Sequence, residues 1–471
     1  MTIISNFLDS QDKRPLIIVA GFGAAGAAAA VAAAQAGGRV LVCDRAPKAE
    51  RGGNTRENLL YMAMKNTDEP NEEFVSMLDR IASPWSTNWA KSNESAKHWS
   101  LDPGFKATWL KESAPAVNWL QSLGFSFRNE ESDLVDDGFA PGLIPIGGGD
   151  ALLDRMEKIA SELHVEFAYD AAIVDVERDG SGKVTAAVIE TATGRQTLQC
   201  SAVILATGGI QGNYDMLTKY LGTTASHAVP ITRYGYHCKG EGVQIALNNG
   251  AAAVGDLGDW HGVAVDARAD GERWILSGME LGIMVNRDGK RFFDEATGEP
   301  ADKAIRDQPG GIAYYIADAS ALRHPFANRR FATGMEPLKA NSIEELAEVL
   351  GVPESELRST IEEYHRACPS DPSKGTQGLV IEKRFGAKPL EEMPFVAWPL
   401  RATICFTMGG IKSDSDGRVL TDTNYPIEGL YVAGDTAGGY YHGYINYTAS
   451  LKAIVFGRRA AAHAVQLSSA Q

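Results

Sequence analysis

Near the C-terminus, Tyr440-Tyr441-His442-Gly443-Tyr444-Ile445-Asn446-Tyr447 brings phenols, an imidazole and a carboxamide into one short stretch. A phenol has two uses in carbonyl chemistry. As a neutral donor it steadies an oxygen on which negative charge develops; with a lowered pKa it takes a proton from carbon. Tyr444 and Tyr441 are the candidates for these roles, with His442 and Asn446 as orienting groups. The same residues also read as an aromatic wall that lines a site without reacting.

The element that must position this stretch is the apolar run Ile427–Val432, which leads into Gly434 and Asp435. It reads as a strand that delivers a carboxylate at its end. A second such arrangement opens the chain. Leu16–Ala20 is a hydrophobic run, followed by Gly21-Phe22-Gly23-Ala24-Ala25-Gly26, an alanine-rich helix to Ala34, and a second strand into Asp44-Arg45. This is the glycine fingerprint of a dinucleotide-binding fold in its required setting. Gly21 makes the tight turn, Gly23 opens space for a pyrophosphate, and Gly26 allows close helix packing. Asp44 is placed to accept ribose hydroxyls. Beyond it, Arg51-Gly52-Gly53-Asn54-Thr55-Arg56 suits a close backbone approach to the same ligand. Arg56 faces either a substrate anion or a surface carboxylate. A third strand running into Ala206-Thr207-Gly208-Gly209 supports a further backbone contact.

Composition narrows the class. The chain has 471 residues, 44% hydrophobic and 22% charged, which fits a globular enzyme of two or three domains. A net charge of -15 disfavours nucleic acid and anionic membranes as partners. The five cysteines form no CxxC and the nine histidines no HExxH, so no metal or iron–sulfur site is expected. Asp9, Asp12, Lys13 and Arg14 precede any apolar run, unlike a secretory signal. The Ala24–Ala34 run is too short and too alanine-rich to span a membrane. A cytoplasmic protein without integral membrane contact is expected.

In chain order, helical spacing fills 70–125, with Trp109, Val117 and Leu120 as core. Gly147-Gly148-Gly149 precedes a helix over 151–163 and lies either under a ring or phosphate or in a flexible connection. A hairpin pairs Ile173–Arg178 with Val184–Glu190, and a single strand is predicted over Gln196–Leu205. Gly240–Ala251 is a glycine turn and short helix. After 255 the composition shifts; 255–395 reads as an inserted domain, with helices over 342–366. The remainder resumes the first fold, with Thr407-Met408-Gly409-Gly410 and a final helix over 449–466.

Together these segments resemble the flavoprotein family of fumarate reductases and succinate dehydrogenase flavoprotein subunits, which includes 3-ketosteroid dehydrogenases and tricarballylate dehydrogenase. The resemblance implies an α/β fold: a Rossmann-type FAD-binding domain in two parts (1–254 and 396–471) with an inserted α+β capping domain (255–395). It implies FAD against Gly21, Gly23, Ala24, Ala25, Gly26, Asp44, Arg45, Gly52, Gly53, Asn54, Thr55, Ala171, Ala206, Thr207, Gly208, Gly434, Asp435, Ser450 and Leu451. Membrane-bound relatives carry FAD covalently on a histidine; the matching position here is Asn54, so the FAD should be noncovalent. The dicarboxylate pattern fails at three places. Cys405-Phe406 replaces a His-rich pair, Glu299 and Asp302 stand where an arginine is expected, and Ile445-Asn446 replaces Asn-Arg. The 443–446 stretch instead resembles the 3-ketosteroid Δ4-dehydrogenase pattern, and Tyr444 with Phe456-Gly457-Arg458 also resembles tricarballylate dehydrogenase. The expected reaction is α,β-desaturation of a carbonyl compound, most plausibly a cyclic ketone such as a 3-ketosteroid. Tyrosine would assist proton abstraction while flavin N5 takes hydride. The alternatives are a polycarboxylate dehydrogenase, with Arg56, Arg233 and Arg401 as anion clamps, or an enone or fumarate-type reductase working in reverse. Arg56 and His261 are the tentative substrate contacts. The partners are a small-molecule substrate and an unidentified electron acceptor.

Overall fold

A computed structural model of the chain describes residues 12–81, 103–129, 142–269, 279–296, 301–324, 335–440, 444 and 447–469. The chain divides into two compact units. One comprises Met1–Met216, Tyr234–His261 and Phe406–Gln471; the other comprises Leu217–Arg233 and Gly262–Cys405.

The first unit is built on a six-stranded sheet. Its strand order is Arg418–Leu420, Pro426–Val432, Ala202–Leu205, Leu16–Ala20, Arg39–Cys43, Glu166–Ala168. All neighbours are parallel except the first pair. Ile17, Ile18 and Val19 are wholly buried, as a strand covered on both faces requires. Each such side chain contributes about 1.5–3 kcal/mol of burial. The alanine-rich helix Ala24–Gln35 has no apolar side and polar side, because it is buried almost all round. Its small side chains let the C-terminal helix Ala449–Ser469 lie directly on it: a Cβ at Gly457 would sit 2.4 Å from the Ala25 carbonyl oxygen. The expected single strand over 196–205 is in fact two. Gly194–Gln199 pairs in a separate antiparallel sheet with Ala172–Arg178 and Val184–Thr191, while Ala202–Leu205 joins the parallel sheet. The break falls where Cys200 N–H turns to Thr185 O and Ser201 N–H to Leu16 O, so the chain changes sheets at two residues.

The second unit has its own sheet, with Phe395–Ile404 at its centre. That strand pairs with Ala228–Pro230, Ala264–Asp266, Ile312–Asp318 and Leu338–Ala340, and Ile283–Asn286 adds to the strand 312–318. Alternate residues enter two cores, as a pleated strand dictates. Ile283, Val285, Ile316 and Ala397 pack with Leu346, Leu357 and Ile361 of the helices Ile343–Leu350 and Glu354–Ala367. Met284, Tyr315 and Trp398 pack on the other face with Ile305. Gly351 in a left-handed turn and Pro353 divide the 342–366 helical pattern into those two helices. A buried charged group braces this unit. Arg291 pairs with Glu295 at 2.8 Å, Glu295 accepts the Met284 N–H, and Lys383 Nζ donates to Gly282 O at 2.7 Å.

Candidate functional site

The glycine cradle is made by backbone approach. A Cβ at Gly26 would lie 2.0 Å from the Gly21 carbonyl oxygen, so only glycine lets the helix start this close to the strand. The Phe22 N–H donates to Asp44 Oδ2 at 2.9 Å, and the Ala46 N–H to Asp44 Oδ1 at 2.9 Å. Burial holds the Asp44 carboxyl above its usual pKa, opposed by those two N–H donors and by His237 and Arg51. The Ala24 N–H donates to Thr55 Oγ1 at 3.0 Å, which ties the 51–56 turn to the helix start. Among the described residues the Ala25 and Gly26 N–H groups have no acceptor. They are donors at a helix N-terminus suited to a pyrophosphate.

The other glycine segments close around this turn. Gly147-Gly148-Gly149 is not a flexible connection: the helix begins at Gly148, and a Cβ at Gly149 would sit 1.6 Å from Thr55 O. Cys238 Sγ packs against both the 52–53 and the 207–208 turns. Thr207 Oγ1 accepts the Gly242 N–H at 3.1 Å, and Thr436 Oγ1 donates to Gly208 O at 2.9 Å. Those bonds bring Ala206–Gly208 against Gly434–Thr436. Ala171 is buried, and its N–H donates to Asp44 O at 3.0 Å. Arg45 forms an ion pair with the largely buried Glu241. Asn54 and Thr55 are half-buried in the turn. Ser450 and Leu451 lie in the first turn of the C-terminal helix, where the Ala449, Ser450 and Leu451 N–H groups have no acceptor among the described residues. The cradle that a Cβ would fill, together with two helix starts offering free N–H groups, fits an elongated anionic cofactor such as FAD.

A second constellation surrounds Tyr444. The short strands Trp260–His261 and Phe406–Thr407 pair antiparallel, with His261 opposite Phe406. The Met408 N–H donates to Asp259 O and the Gly409 N–H to Asp256 O, each at 2.8 Å, which secures that pairing. Tyr444 packs on His261 with ring centroids 4.3 Å apart and meets Phe406 edge-on at 5.2 Å. Tyr440 stacks on Phe406 at 5.3 Å and meets Tyr444 at 5.2 Å. The Tyr440 hydroxyl shares a hydrogen bond with Thr448 Oγ1 at 3.2 Å, and burial raises its pKa well above the usual value. Trp260 is buried as packing. Tyr441, His442 and Asn446 lie outside the described residues.

Arg56 lies in the 51–56 turn. Its Nε lies 3.1 Å from Asp150 Oδ1, and its guanidinium covers the Tyr234 ring at 5.1 Å. Sequence reasoning notes Phe406 only as a departure from a pattern, Tyr440 only as part of the aromatic stretch and Thr448 only through a resemblance, and it passes over Lys452. Lys452 had a signal: it is a lone cation in the apolar run Leu451–Gly457. Among the described residues no three His, Cys, Asp or Glu are grouped to hold a metal, and no helix is long and apolar enough to cross a membrane.

The model of an FAD binding domain matches residues 17–448. A probable fumarate reductase, Ifc3, from Shewanella frigidimarina is 28% identical over 96% of this chain and 74% of that protein. A vinyl phenol reductase from Lactiplantibacillus plantarum is 26% identical over 92% of this chain and 90% of that protein. The open conformation of a flavocytochrome c3 fumarate reductase superposes with a TM-score of 0.76 at 24% identity, covering 99% of this chain and 80% of that one. The likeness of fold extends to the Rossmann-type region and the inserted capping region alike. The chain belongs to the FAD-binding family of succinate and fumarate reductase-like flavoproteins, and it is an FAD-dependent oxidoreductase acting on CH–CH bonds.

Proposed function

We propose that this protein reduces a carbon–carbon double bond conjugated to a carbonyl or aryl group, at a site walled by His261, Phe406, Tyr440 and Tyr444. The observation that carries this reading is the make-up of that wall. A small dicarboxylate needs cationic partners at both ends. Here three aromatic rings and an imidazole pack ring on ring instead. Such a surface favours a flat, conjugated substrate through ring stacking. The names of two similar proteins, a probable fumarate reductase and a vinyl phenol reductase, support the reducing direction.

Bound FAD supplies the two-electron exchange with the substrate. Gly21, Gly26, Thr55 and Asp44 would hold the cofactor at one helix start, and the N–H groups of the first turn of the C-terminal helix would hold it at another. Tyr444 Oη carries the proton: it donates to substrate carbon during reduction and takes the same proton in reverse. A neutral phenol suits the forward role near pH 7, since its ordinary pKa lies about three units higher. The His261 imidazole, packed on Tyr444, binds the conjugating oxygen and steadies the charge that develops there. Phe406 and Tyr440 exclude water and fix the plane of the substrate.

The same proton path run backward is the second reading, desaturation of a cyclic ketone. The pairing of Tyr444 with His261 favours it, since one group can take the α proton while the other holds the carbonyl. One experiment separates these readings. The protein is reduced under anaerobic conditions and mixed with 4-vinylphenol, a cyclic enone or fumarate, and the visible absorbance of the flavin is followed. Recovery with the first two supports the reductase. Recovery with fumarate alone overturns it. If the oxidised protein is instead bleached by a saturated cyclic ketone, desaturation is the working direction.

A further inference from the structure

We propose that Lys452 is a buried counter-charge for the reduced flavin, which raises the cofactor's reduction potential. The inference rests on the FAD cofactor and not on any choice of substrate. Lys452 stands in the first turn of the C-terminal helix, beside Ser450 and Leu451, and is 2% exposed. Its Nζ donates to Ala437 O at 3.2 Å and lies 4.4 Å from the centre of the Tyr440 ring. Among the described residues no carboxylate comes within 4 Å to form an ion pair with it. Its stem runs beside Gly439, which the Phe105 ring also borders.

A buried cation without an ion-pair partner is costly, and one at a helix N-terminus is opposed by the helix dipole as well. Both costs diminish if an anion arrives at this pole. Two electrons and one proton added to an isoalloxazine leave it with one net negative charge. The free N–H groups of Ala449, Ser450 and Leu451 and the Lys452 ammonium together form a positive pole for that charge. Among the described residues the titratable groups that face Lys452 are Asp435, across the 434–436 turn, and the Tyr440 phenol; from the helix Pro103–Ser122, Trp109 packs on Tyr440 and Phe105 lies against Gly439, while Glu112 pairs with Arg459 further along the C-terminal helix. Burial pulls the Lys452 pKa down to about 8, and Asp435 works against that fall. The ammonium is therefore charged at neutral pH and sensitive to the charge of its neighbour.

The test is a midpoint-potential measurement without substrate. The native protein, Lys452→Met and Lys452→Arg, each loaded with FAD, are reduced stepwise by dithionite against a reference dye. For Lys452→Met the equilibrium with the dye should move tenfold or more toward oxidised flavin, about 30 mV for a two-electron couple. Lys452→Arg, which keeps the charge, should recover most of that shift. A Lys452→Met potential equal to native overturns the proposal. Should the methionine variant fail to hold FAD, the native protein decides alone. Its potential should fall by about 30 mV per pH unit below the lysine's pKa and by about 59 mV above it, where reduction draws a second proton onto Lys452. A slope that stays near 30 mV up to about pH 10 overturns the proposal. Neither result depends on which alkene or ketone the site accepts.

Discussion

The cradle at Gly21–Gly26 makes its contacts with backbone, whereas the wall around Tyr444 makes them with side chains. In the cradle, carbonyl oxygens stand where any Cβ would fall: 2.0 Å at Gly26 and 1.6 Å at Gly149. In the wall, four rings meet at centroid distances between 4.3 and 5.4 Å, and every contact is made by side chains. The difference separates two kinds of recognition. A fixed cofactor is held by geometry that tolerates no substitution. On the proposed function the substrate meets side chains, which can differ while the backbone cradle stays the same.

The sharpest way to break this comparison is to put side chains into the cradle. Gly26→Val and Gly149→Val should each abolish FAD retention, because backbone must move by more than an ångström to admit the new atoms. Overpacking of this kind costs about 1–3 kcal/mol or more. The ratio of flavin to protein absorbance checks it; variants that stay fully loaded would show that the cradle is looser than described. Thr55→Val is the next step down. It leaves the Ala24 N–H without its acceptor. The loss of about 1–2 kcal/mol should weaken FAD binding roughly tenfold, measurable by cofactor titration of the apoprotein.

The second unit offers a pH test that should leave the cradle untouched. Burial lowers the Lys383 pKa to about 8, against an ordinary 10.5. Between those values the unfolded chain holds a proton that the folded chain has released. That difference makes the folded state gain stability as pH rises from about 8 toward 10.5. Relative to Lys383→Met, the native protein should gain up to about 1.4 kcal/mol per pH unit in that window, read by urea unfolding at several pH values. A difference between the two proteins that does not change with pH would show that Lys383 titrates normally. Smallest of all should be Arg56→Ala. Its partner Asp150 is largely exposed, and such pairs contribute about 0–1 kcal/mol. KM should move by no more than about twofold; a large rise in KM with an anionic substrate would mark Arg56 as a substrate clamp.

The same contrast explains what could be read from the sequence. Glycines at 21, 23 and 26, flanked by two apolar runs and followed by Asp44, announce a tight turn and a close helix start, and the structure has both: Gly21 takes a positive φ and Gly26 lies against the Gly21 carbonyl. The role of Gly149 was left open because its neighbour, Thr55, is distant in sequence and only the helix start at Gly148 brings them together. The 196–205 run reads as one strand because no Gly or Pro interrupts it; the switch between sheets at Cys200–Ser201 depends on Thr185 and Leu16, which are far along the chain. The pairing of Trp260–His261 with Phe406–Thr407 was not legible for a similar reason. Two-residue strands carry no periodicity, so the register that puts His261 against Phe406 appears only in three dimensions. The aromatic stretch around Tyr444 is legible in the sequence; the packing of His261 and Phe406 on Tyr444 is not.

The most direct test of the account is the single-turnover reoxidation of the reduced flavin by a conjugated alkene, compared between the native protein and Tyr444→Phe. The substitution removes one hydroxyl and keeps the ring that packs on His261 and Phe406. The account predicts a rate lower by about 10²–10⁴, with FAD content and flavin potential unchanged. A rate within about threefold of native would contradict it and would leave Tyr444 as wall alone.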